Sequence, residues 1–106
     1  MDTLNKLVDL LIMNMDTILK TEYQLPYEAA SKVSLVRMLV STLKQQLDVP
    51  IPEKTIMIKH MIEIIFIEYE TNIHSARQCI CPQLADAIST LILAIRAKIE
   101  RMPYVN

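Results

Sequence analysis

Where this chain can turn is set mainly by proline, because its 106 residues include five prolines and no glycine. Proline fixes φ near about −65° and has no N–H, so it suits a helix's first position and damages its interior. Pro26, Pro52 and Pro82 each precede a long periodic segment, Pro50 sits in the connector "DVPIP", and Pro103 follows the last segment. The chain therefore divides into pieces over 2–22, 26–48, 52–80 and 82–102. Without glycine, β-hairpins and phosphate-cradling loops lose the positive-φ positions they rely on. A Walker-type loop and a dinucleotide fingerprint are excluded outright.

Periodicity supports the same division. Leu4, Val8, Leu11, Met15 and Ile18 step by four and three, which puts them on one face of a helix. Val33, Val36, Val40, Leu43 and Leu47 do the same in the second piece. In the third, Ile58, Ile62, Ile65, Tyr69, Ile73, Ala76 and Ile80 continue without a phase break, which predicts one helix over 52–80. The fourth carries Leu84, Ile88, Leu91, Ile95, Ile99 and Met102. Asp2 is placed to cap the first helix, and Glu28 and Glu53 put negative charge at the favourable ends of the second and third. Short connectors make sequential helices antiparallel neighbours. The expected architecture is a single all-α domain over residues 1–106, an antiparallel up-down four-helix bundle.

The chain is 52% hydrophobic, more than one apolar stripe per helix requires. Helix one also carries Leu7, Leu10, Ile12, Met13 and Leu19; helix three carries Ile64, Phe66 and Ile67 away from its main stripe. A domain this small cannot wrap every helix on all sides. The surplus is expected to meet another chain, with Leu7, Met13, Ile64, Phe66 and Ile67 at the contact. Seven methionines fit an adaptable surface as well as a core, and Met13, Met15, Met57 and Met61 lie on the helices concerned.

One stretch invites a chemical reading. In "SARQCICPQL", Cys79 and Cys81 follow His74, but C-x-C without a second cysteine pair is not the spacing of structural zinc. On a helix the two thiols diverge, and His74 and Cys81 are separated by about 10 Å of rise. The plainer reading makes Cys79 a small apolar residue and puts Cys81 at the helix cap before Pro82. Di-iron bundles use Glu-x-x-His from two helices; His60 with Glu63 runs in reverse order, and Glu70 with His74 is four apart, so both read as surface pairs. Neither histidine stands in a recognisable arrangement with Ser31, Ser34, Ser41 or the cysteines for nucleophilic catalysis. No enzyme, cofactor or metal is expected.

The formal net charge is −1. The densest basic cluster, Arg96, Lys98 and Arg101, reads as a solvated last helical turn offsetting the macrodipole. A nucleic-acid partner is therefore not expected, since phosphate binding needs a basic stripe. No segment approaches the ~20 apolar residues that span a bilayer. "MDTLNKLVDLL" has no basic n-region, so a soluble, intracellular protein of the cytoplasm is the expectation. The function expected is a non-enzymatic protein–protein interaction module: a small accessory, adaptor or inhibitor protein, of viral or phage type by analogy of size and fold, binding another protein or itself as a homodimer. Two other readings stand beside it: a metal- or small-molecule-binding bundle using His60, His74, Cys79 and Cys81, and a nucleic-acid-binding helical dimer using Arg96, Lys98 and Arg101.

Overall fold

The computed structural model describes residues 2–21, 26–48, 52–73 and 80–102, and no strand occurs among them. Its helices are α1 (Asp2–Thr21), α2 (Tyr27–Asp48), α3 (Thr55–Glu68) and α4 (Pro82–Glu100). A 3-10 turn (Pro52–Lys54) leads into α3, and a π-helical turn (Tyr69–Ile73) follows it. The chain is an antiparallel up-down four-helix bundle. α1 packs on α2 and α4, and α3 packs on the same two helices, so α1 and α3 occupy diagonally opposite corners.

Proline marks the helix starts. The Pro26 carbonyl accepts the Ala30 N–H at 2.9 Å, closing the first turn of α2 one residue after the proline. At α4, Pro82 is the first helical residue and Cys81 occupies the N-cap, its carbonyl accepting the Ala85 N–H at 3.0 Å. The Cys81 thiol makes no capping bond and donates to Gln83 Oε1 instead. Glu28 stands in the first turn of α2, and Lys20 and Lys98 in the last turns of α1 and α4, each sign matching its end of the helix dipole. The capping role expected of Asp2 lies outside the described side chains, as do Pro50 and Pro103.

The core is aliphatic. Leu4, Val8, Leu11, Met15 and Ile18 of α1 and Val33, Val36, Val40, Leu43 and Leu47 of α2 are all buried, as their spacing requires. α4 departs from expectation. Ile88, Ile95 and Ile99 are buried, but Ala85 and Ile92 complete the stripe, while Leu84, Leu91 and Met102 are only half-buried at its edge. Periodicity gives Leu91 and Ile92 equal claim; packing decides between them, because the Leu91 side of α4 faces a groove against Leu10 and Asn14 of α1.

The third segment also departs. Ile58, Ile62, Ile65, Tyr69 and Ile80 are buried, and Thr55 takes the first core position of α3, but regular α-helix stops at Glu68. The change of helix type begins at Tyr69. Its hydroxyl donates to the Ala85 carbonyl of α4 at 3.1 Å and hydrogen-bonds Ser89 Oγ. Holding a buried phenol on two polar groups of α4 coincides with the wider turn, of the kind that π-helical insertions supply. Ile73 and Ala76, expected on the same stripe, lie outside the residues whose side chains are described.

Candidate interaction face on α3

Among the described residues, ion pairs join α1 to α2 and α3 to α4. Between α1 and α2, Arg37 grips Asp16 in a fork: Nε reaches Oδ1, and Nη2 reaches Oδ2 at 3.3 Å, while Nη1 donates to Ser41 Oγ at 3.3 Å. The Arg37 hydrogen bonds hold the Asp16 carboxyl below its usual value, against the upward push of partial desolvation. Lys44 pairs with Asp9 further along the same junction, and that bond raises the lysine's pKa. Between α3 and α4, Arg96 donates to both oxygens of Glu63 at 2.8 and 3.2 Å and reaches Glu100 at 3.2 Å. Its guanidinium carbon lies 4.4 Å from the Phe66 ring centroid, a cation–π distance.

These contacts fix which sides of α3 are taken. The core stripe faces inward, and the flank carrying Lys59, Glu63 and Phe66 faces α4, with Lys59 Nζ 3.4 Å from the Glu100 carbonyl. The opposite flank, which carries Met61, adjoins α2; Lys54 there donates to Gln46 at 3.1 Å. What remains points outward. Ile56 is 53% exposed, Met57 40%, Ile64 50% and Ile67 56%, with His60 exposed among them. On either side, Leu35 of α2 and Leu93 of α4 are exposed as well. α3 is thus apolar inside and out, the character of a helix that expects cover on both sides.

The five residues expected at a contact do not form one surface. Ile64 and Ile67 belong to this outer face of α3. Phe66 is half-buried beneath Arg96, and Leu7 is half-buried against the core. Met13 is the most exposed of the five at 63%, but it points away from the bundle on α1, at the diagonal corner. Ile56, Leu35 and Leu93 were missed by sequence reasoning. The spacing Met57, His60, Ile64 and Ile67 on the side away from the core steps 3-4-3 and marks the outer face of α3, but it contains none of these three, and no local pattern singles out Leu35 or Leu93.

The other expected groups are scattered. His60 lies at the Glu100 end of the bundle, lining an open groove of about 310 Å³ with Ile56, Lys59, Glu63 and Glu100. Cys81 starts α4 at the opposite end, roughly 28 Å away at 1.5 Å per residue, so no single ion can take both. His74 and Cys79 lie outside the described residues. Among the described residues, no three His, Cys, Asp or Glu side chains gather as metal ligands would. The basic cluster divides: Arg96 turns to α3, while Lys98 and Arg101 line a groove with Thr3, Leu4 and Met102 on the α1 side. No helix among the described residues is long and apolar enough to cross a membrane. Comparison of the chain with family models, with curated proteins and with solved structures finds no match.

Proposed function

We propose that this chain is a non-enzymatic protein–protein interaction module, a small accessory, adaptor or inhibitor protein that works in the cytoplasm by presenting the outer face of α3 to another polypeptide, either a different protein or a second copy of itself. The observation that supports this reading is the cluster of Ile56, Met57, Ile64 and Ile67 on one short helix, each at least two-fifths exposed. Apolar side chains scattered singly on a surface need no explanation, whereas a contiguous apolar face marks a contact. Covering a half-exposed Ile or Met returns about 1 kcal/mol, half of full burial. Six such residues, with Leu35 and Leu93 at the margins, would together outweigh a moderate association cost. At the Ile56 end the face adjoins Lys59, His60, Glu63 and Glu100, and Glu63 is paired there with Arg96, which lowers the cost of covering that charge.

The direct test replaces Ile64 with a photo-crosslinking amino acid in the producing cell and Thr90, exposed along the α1–α4 groove and away from α3, in a control. The reading expects a protein adduct from position 64 and none from position 90. Equal labelling from both, or none from position 64, would overturn it.

A further inference from the structure

We infer that the cover of the α3 face is a second copy of this chain, the two α3 helices lying antiparallel across a two-fold axis close to residue 62. This rests on the reading of the face as a docking surface and names its occupant. Three observations carry it. The first is spacing: Met57, His60, Ile64 and Ile67 step 3-4-3, the stagger of a helix seam that takes another helix, and they fall wholly within the regular part of α3. The second is symmetry. A two-fold interface uses one patch on both copies, so the patch must be complementary to itself. A 3-4-3 stripe reads the same in both directions. Antiparallel, it sets Met57 of one copy against Ile67 of the other, and His60 of one against Ile64 of the other. Parallel packing would stack His60 on His60 and leave both imidazoles facing one another within the apolar seam.

The third is area. Ile56, Met57, Ile64 and Ile67, with Leu35 and Leu93 beside them, leave roughly 500 Å² of surface open on each copy, in the upper part of the ~300–600 Å² range of a monomer's largest apolar patch, a size that often marks a functional surface. Two copies together then bury about 1,000 Å² before any polar margin is added, which meets the lower bound for a specific interface. Beside the seam, Glu63 and Arg96 neutralise each other within each copy, so that pair brings no net charge to the margin.

Sedimentation equilibrium of the full chain tests the occupant. The expected mass is twice the single-chain 12.2 kDa. Ile64→Glu should return it to one chain with an unchanged helical spectrum, and His60→Leu, which removes the polar residue from the seam, should tighten association about tenfold. The register is read separately. In a Cys79→Ser, Cys81→Ser background, His60→Cys and Ile64→Cys variants mixed under oxidised glutathione should form the mixed disulfide in preference to either symmetrical one. Preferential joining of His60→Cys to itself would overturn the antiparallel arrangement. A wild-type chain that sediments at single-chain mass at about 100 μM would overturn self-association. The docking reading would then fall only if the photo-crosslinker at Ile64 also captured no other protein.

Discussion

The position of the α4 stripe decides how the bundle is built, and two adjacent alanine substitutions measure it. Ile92 is 1% exposed and lies in the middle of the core. Ile92→Ala removes three carbons' worth of burial, about 2.4 kcal/mol at 0.8 per methylene. It also leaves a closed void whose cost, at ~24 cal/mol per Å³, adds between 1 and 2 kcal/mol. The expected loss is therefore about 4 kcal/mol. Leu91, next in sequence, is half-buried and borders the open groove shared with Leu10 and Asn14. Leu91→Ala forfeits about half the transfer energy, ~1 kcal/mol, and adds no closed void because water can enter the groove. Urea unfolding of both variants, at one protein concentration so that any assembly contributes equally, should separate them by about 3 kcal/mol. Equal losses, or a larger loss for Leu91→Ala, would refute the rotated stripe and return Leu91 to the core.

Two further outcomes follow from individual contacts. Arg37 holds the Asp16 carboxyl below its ordinary value of 3.8, so the folded chain binds fewer protons there than the unfolded one. The stability this contributes is complete above the unfolded value and is lost as pH falls through the lowered one. For a partly exposed pair it amounts to about 0.5 kcal/mol; urea midpoints should show wild type above Asp16→Asn at pH 5 and the gap closing near pH 3, whereas a gap constant with pH would contradict the assignment. Cys81 caps α4 without a side-chain capping bond. Cys81→Ser supplies an oxygen suited to that bond and should raise stability by about 0.5–1 kcal/mol, read as a Tm higher by a few degrees.

Much of this fold is legible before any coordinates. Pro26, Pro52 and Pro82 stand at the starts of the second, third and fourth helical segments, and the three-and-four spacing of Leu4 to Ile18 and Val33 to Leu47 coincides with buried residues of α1 and α2. The π turn was not legible, because it accompanies a hydroxyl of residue 69 bonded to residues 85 and 89, contacts that no local pattern contains. Nor was the choice of Ile92 over Leu91, which depends on how α4 is rotated against α1. The candidate face was half legible. An apolar surplus on helices one and three is plain from the sequence, but its division between diagonal corners is not. Leu7 and Phe66 looked superfluous on a narrow stripe, yet a bundle stripe is wide enough to half-bury its flanks.

The central claim is that α3 carries two apolar faces, one that makes the fold and one that the fold does not need. Circular dichroism of the Ile64→Glu, Ile67→Glu double variant, recorded beside Ile62→Glu, tests it most directly. Ile62 is 1% exposed, against at least half for the other two. The expected result is a fully helical spectrum for the double variant and loss of cooperative folding for Ile62→Glu, since a charge without a partner cannot be held in that core. Collapse of the double variant to the level of Ile62→Glu would show that Ile64 and Ile67 are core residues and that α3 has no free face.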